Sequence, residues 1–90
     1  MKNYRYTERA VKGFANHRRL QILELLKKET ELSVAEISER LNIDFKNAAA
    51  HVQKLAIAGL VLKRSDGHSV RHKLTDRAEK VLRFLTQLLD

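Results

Sequence analysis

The sequence predicts a mainly α domain with one small β-hairpin, in the order α-α-(β)-α-α-β-β-α, formed by residues 1–90 as a single unit. Three observations predict it. Apolar residues recur at helical spacing on both sides of residues 60–74, capping residues stand at the head of each periodic stretch, and within 60–74 the spacing changes to alternation around an Asp66-Gly67 turn signal. Ninety residues without proline leave no linker signal and suffice for one modest core.

Thr7 is placed to cap a first helix running to about Ala15, with Tyr6, Ala10, Val11 and Phe14 at helical spacing. A break at Asn16 and His17 follows, with Asn16 as the next cap. Leu20, Ile22, Leu23, Leu25 and Leu26 then form a broad apolar stripe, and Lys27 and Lys28 complement the dipole of the last turn. Leu32 reads as a short extended residue. Ser33-Val34-Ala35-Glu36 has the spacing of a capping box, opening a helix from Val34 to Leu41 that turns Ile37 and Leu41 inward and leaves Glu36, Glu39 and Arg40 in water. Asn42 tolerates the left-handed conformation that ends a helix, and only Ile43 separates it from Asp44, the cap of the next.

Asp44 to Ala58, closed by Gly59, makes a helix of about four turns. Phe45, Ala48, Val52 and Leu55 share one face; Lys46, Asn47, Ala50, Gln53 and Lys54 share the other. The outer face has no acid. Its two lysines and two amides stand on an alanine floor that includes Ala49, so the backbone can come close to whatever it lies against. A major groove admits such a helix, and Asn, Gln and Lys can meet base edges or phosphates there. An ordinary solvated face has the same composition, so the neighbouring elements decide. Two helices joined by a short turn, the second polar and basic outside, form the helix-turn-helix arrangement.

Leu60, Val61 and Leu62 begin a strand that continues through Lys63 and Arg64, and Ser69 to Leu74 returns with Val70, His72 and Leu74 on one face. The basic edge consists of Lys63, Arg64, His68, Arg71 and Lys73, with only Asp66 to offset it. A two-stranded hairpin is not stable alone, so it must rest on the helices as a wing. Thr75 with Asp76 starts a last helix whose Val81, Leu82, Leu85, Leu88 and Leu89 exceed what the core needs. With Tyr6, Val11 and Phe14 of the first helix they are expected to form a two-fold dimer interface; folding back on the domain is the plainer alternative. Ile57 points outward, either under the wing or against a partner.

The 18 Lys and Arg against 11 Asp and Glu give a net charge of +7, a balance that favours polyanionic partners. The distribution says more. Residues 1–19 hold six basic groups against Glu8, residues 20–45 three against six acids, and residues 46–83 nine against three. No apolar run has the length of a membrane span, and the first residues, MKNYRYTERAVKG, lack the apolar core of a signal peptide. With no cysteine, disulfides and thiolate metal sites are excluded, and a cytoplasmic location is expected.

Residues 16–26 (NHRRLQILELL), Glu31 to Ile37, Ala48 to His51 followed by Val52, Leu55, Ala58, Gly59, Leu60 and Val61, and then Asp66-Gly67 stand in an ordered spacing that resembles the ArsR-type winged helix-turn-helix repressors over nearly the whole chain. The ending Leu74-Thr75-Asp76-Arg77-Ala78 is closer to the MarR type. The resemblance implies a winged helix-turn-helix fold and a dimeric repressor of transcription on double-stranded DNA. It implies a sensor helix at Glu31 to Ile37, a reading helix around Ala48 to His51 and a wing tip at Asp66-Gly67. The departures are specific. Where that family's thiolate sensor has cysteines, this chain has Ser33 and Ala35, and the last helix carries no histidine for the family's other metal site. Metal sensing is therefore expected to be absent. The family's hydroxyl-rich reading positions are here Asp44, Phe45, Lys46, Asn47 and Ala49, so no operator sequence carries over.

The four histidines make no metal site on this reading. His68 and His72 are expected on one strand about 13 Å apart, at about 3.3 Å per residue, and His17 and His51 stand alone on helices. Ser33 is a cap, Ser38 lies on a helix, and Ser65 and Ser69 flank a turn, so no nucleophile-base pattern emerges; neither an enzyme nor a cofactor is expected. The expected function is a sequence-specific double-stranded DNA-binding regulator, a dimeric repressor that contacts DNA through Lys46, Asn47, Ala49, Ala50, Gln53 and Lys54 and through Lys63, Arg64, His68 and Arg71 of the wing. A winged-helix module for protein assembly, with an incidental basic face, is the alternative. RNA binding is disfavoured, because few aromatic residues are available to stack unpaired bases.

Overall fold

The computed structural model describes all 90 residues. Its elements are α1 (Tyr4–Phe14), α2 (His17–Lys28), α3 (Val34–Leu41), α4 (Phe45–Ile57), β1 (Val61–Asp66), β2 (Ser69–Leu74) and α5 (Asp76–Leu89). This is the winged helix-turn-helix order.

Each helix begins where a side chain can accept an otherwise unpaired amide. Asn16, Ser33, Asp44 and Thr75 cap α2, α3, α4 and α5 as expected, and Ser33 and Glu36 complete the capping box. The first helix differs: Asn3 is its cap, accepting from the Tyr6 amide, and the Thr7 hydroxyl instead donates back to the Asn3 carbonyl at 3.0 Å. Asn42 ends α3 with φ of 52°, in the left-handed region. The turn into α4 is then closed by Ser38, whose hydroxyl donates to the Ile43 carbonyl at 2.6 Å.

The core lies around α2. Ile22, Leu23 and Leu26 meet Ile37 of α3, Val52 and Leu55 of α4, Leu60 and Val61 at the hairpin base, and Ala78 of α5. Phe45 departs from the expected inward face. It stands in the first turn of α4, beyond the cover of α2 and α3, and is 56% exposed.

The antiparallel hairpin pairs Val61 with Leu74 through to Asp66 with Ser69. The loop residues are therefore Gly67 and His68 rather than Asp66 and Gly67, and His68 belongs to the turn instead of sharing a strand face with His72. The base of the hairpin is held from two sides. Leu32 forms a bridge to His72, and the buried imidazole Nδ1 lies 2.9 Å from the Leu32 carbonyl, an acceptor, which assigns the proton to Nδ1. On the other side the Thr75 hydroxyl donates to the Gly59 carbonyl at 2.7 Å, while its amide donates to the Leu60 carbonyl at 3.2 Å. The turn from Asp66 to His68 is exposed.

Candidate nucleic-acid interface

Lys46, Asn47, Ala50, Gln53 and Lys54 are all exposed on one side of α4, and Ala49 is half-buried beneath them. None of them is covered by the molecule's own packing. Lys63 of β1 donates to the Gln53 side-chain oxygen at 2.9 Å, so this side of α4 runs without a break into the hairpin.

The wing is less cationic than its own composition suggests. Arg64 and Arg71 stand directly opposite each other in the strand register, where like charges repel. The acidic middle segment relieves them. Arg64 donates through Nε and Nη2 to Glu31 Oε1 at 2.8 and 2.6 Å; Arg71 Nη1 reaches the Glu31 carbonyl at 3.1 Å and Glu36 Oε1 at 3.0 Å, and its Nε reaches Asp66 at 3.3 Å. Asp66 is therefore not the only group offsetting the wing. The hydrogen bond from Arg64 holds the Glu31 carboxyl below the usual carboxylate range, and the bonds from Ser33 do the same for Glu36, with Arg71 adding to both. The half-buried Arg71 is committed to holding the wing, Arg64 remains exposed but paired, and Lys63 and His68 face solvent.

Sequence reading missed a basic contribution beside the start of α4, which comes from Arg18 and Arg19 of α2. Its one visible signal was the cationic excess of residues 1–19. Arg18, Asn47 and His51 line one hollow at the start of α4. Arg19 donates through Nε to His51 Nδ1 at 3.3 Å and through Nη1 to the carbonyls of Lys12 and Gly13 at 3.0 and 3.2 Å. Burial pushes the His51 imidazole below its ordinary pKa, and the neighbouring Arg19, Lys54 and Arg18 push it the same way. No group of three His, Cys, Asp or Glu residues is placed to hold a metal ion, and no helix is long and apolar enough to cross a membrane.

The residues expected at a dimer interface divide in two. Phe14, Val81 and Leu82 pack against the protomer's own core, and Leu85 is half-buried. Val11, Leu88 and Leu89 are 46%, 63% and 76% exposed, joined by Tyr4 and Phe84. Tyr6 is exposed but hydrogen-bonded through its hydroxyl to Arg77 at 2.8 Å, on another side of α1.

A protein-family profile described as HVO_A0114 matches residues 15–81. The transcriptional activator HlyU of Vibrio cholerae serotype O1 is 38% identical over 72 residues, which make up 80% of this chain and 66% of that protein, a little under two thirds of its length. The structure of HlyU from Vibrio cholerae N16961 superposes with a TM-score of 0.82 at 34% identity, over 98% of this chain and 96% of that one. The homodimeric winged helix-turn-helix DNA-binding domain of Mb0332 from Mycobacterium bovis, a possible ArsR-family transcriptional regulator, gives a TM-score of 0.85 at 28% identity, over 94% of this chain and 79% of that one.

Proposed function

This chain belongs to the ArsR family of winged helix-turn-helix transcriptional regulators, and on that premise we propose that it acts in the cytoplasm as a homodimer on double-stranded DNA, reading sequence without a metal, a cofactor or a catalytic step. In this reading α4 enters the major groove with Asn47, Ala50 and Gln53 nearest the bases over Ala49, and Lys46 and Lys54 toward phosphates. Lys63 and His68 reach the flanking backbone. Arg64 adds a charge shared with Glu31, and Arg71 fixes the wing that carries them. The exposed residues Tyr4, Val11, Phe84, Leu88 and Leu89 of α1 and α5 meet their copies across a two-fold axis and set the half-site spacing. Repression follows from occupancy, since a dimer seated on a promoter excludes other proteins from it.

The observation that carries this reading is the unbroken surface from the amide-and-lysine side of α4 into β1, joined by Lys63 and Gln53. Selection of bound duplexes from a random pool tests it. The expected result is an enriched, two-fold symmetric motif whose affinity falls steeply with salt. Recovery of no motif, or binding insensitive to salt, overturns it.

A further inference from the structure

Beside the reading face, with which it shares Lys54, α1, the start of α2, the C-terminal half of α4 and the start of α5 line a groove of about 450 Å³, within the size range of small-molecule sites. Five cations line it, Arg9, Lys12, Arg19, Lys54 and Arg77, and no carboxylate does. Two of its arginines, Arg19 and Arg77, are held in place by neutral acceptors. Arg19 donates to the Lys12 and Gly13 carbonyls, and Arg77 to the Ala58 carbonyl at 2.8 Å and to the Tyr6 hydroxyl. Such acceptors satisfy direction without neutralising charge. Of the molecule's six ion pairs only Lys12–Glu8, at 3.4 Å on the surface, touches this set.

The groove is also preserved in shape. Gly13 brings α1 so close to α4 that a Cβ there would collide with that of Ala58. The remaining wall is apolar: Ala10, Ala58 and Ile57, the last 72% exposed and otherwise without a contact that explains it. Val11 of the proposed dimer patch and Gly13 of the groove lie about 160° apart around α1 at about 3.6 residues per turn, so a dimer built on that patch leaves the groove open.

We propose that this groove is a ligand site for a small organic phosphate. Arg forks and ammonium groups meet its anionic part, as guanidinium geometry favours, and the wall of Ala10, Ile57 and Ala58 meets its organic part. Bound there, the ligand joins α1 to α4 and draws the Lys54 charge away from the duplex, lowering DNA affinity. Binding stands independently of the proposed DNA reading, and the coupling to DNA rests on it.

The test uses the whole protein and magnesium-free ADP as probe, with adenosine as the neutral control. The salt is about 0.15 M, at which exposed charges are screened beyond about 8 Å. Amide resonances of Gly13, Ile57 and Ala58 should shift with ADP and stay still with adenosine. The double variant Arg9→Gln/Lys12→Gln, both on the exposed side of α1, should bind ADP about tenfold more weakly or worse, having lost two charge-assisted contacts. Shifts confined to Lys46, Asn47 and His68, or equal ADP affinity in the variant, overturn the site. In a duplex-binding assay ADP should weaken the parent protein more than the variant, and equal weakening overturns the coupling. If the protein binds no duplex at all, the DNA reading and the coupling fall while the resonance shifts still decide the site.

Discussion

Lys63 of β1 donates its ammonium to the Gln53 side-chain oxygen of α4 at 2.9 Å, so the residue assigned to the bases and the first cation of the wing act as one unit. Gln53→Ala should relax sequence preference at one position, costing about 1–3 kcal/mol on the preferred duplex. Lys63→Ala should weaken all duplexes and reduce the salt slope by about one. Because the two side chains are bonded, the double variant should depart from additivity by about 0.5 kcal/mol or more. A double-mutant cycle on duplex affinity measures this, and strict additivity would separate the helix from the wing.

Glu31 governs how much of the wing's charge is free. Glu31→Gln removes the partner of Arg64, so the salt dependence of DNA binding should steepen by about one unit of slope while thermal stability falls. The pH dependence has a definite sign. A carboxylate held low by Arg64 stabilises the fold above its ordinary pKa of about 4.3, and that contribution is lost as pH falls through the lower, folded value. Melting curves of the parent and Glu31→Gln should therefore converge under acid conditions.

His51 titrates in the opposite chemical sense with the same direction of stability. Its imidazole is held below the ordinary value of about 6.5, first by burial and then by Arg19, so the unfolded chain takes up the proton before the folded one does. Stability should be full above about pH 6.5 and decline as pH drops toward the folded value. Comparing urea denaturation at mildly acidic and mildly alkaline pH for the parent and His51→Gln isolates this contribution. The variant, which keeps an acceptor for Arg19, should show a smaller decline.

At the outer end of α5, Leu88→Glu should change protomer stability by no more than about 0.5 kcal/mol, since Leu88 is 63% exposed. Sedimentation should nevertheless show a monomer, and duplex affinity should fall because two half-sites are no longer held together. An unchanged dimer would move the interface elsewhere.

At the wing's base, His72→Ala should cost about 2–4 kcal/mol, through the emptied volume and the lost bond to the Leu32 carbonyl. Chemical denaturation measures it. A loss below 0.5 kcal/mol would mean that the site collapses around the smaller side chain, an effect on the order of a surface substitution.

Local chemistry was legible in the sequence and distant pairing was not. Asn16, Ser33, Asp44 and Thr75 announce their helices because a cap acts on amides two or three residues away. Thr7 misled because Asn3, one turn earlier, takes the same role. The helical wheel placed the outer face of α4 correctly, yet it sent Phe45 inward, since periodicity cannot show how far the neighbouring helices extend. The partners of the wing arginines, Glu31 and Glu36, lie more than thirty residues earlier, at separations of 33 for Arg64–Glu31 and 35 for Arg71–Glu36. The cationic groove escaped for the same reason, being assembled from α1, α2, α4 and α5.

The ribbon is clamped where it leaves the scaffold, by Leu32 with His72 and by Thr75 with Gly59, while Gly67 and His68 at its far end touch nothing that the helices need. It is built as a cantilever. On the proposed placement of the wing, adding or removing residues at the free end should change how far the arm extends along the duplex while the scaffold stays as it is. The length of DNA covered can thereby be altered separately from the bases preferred.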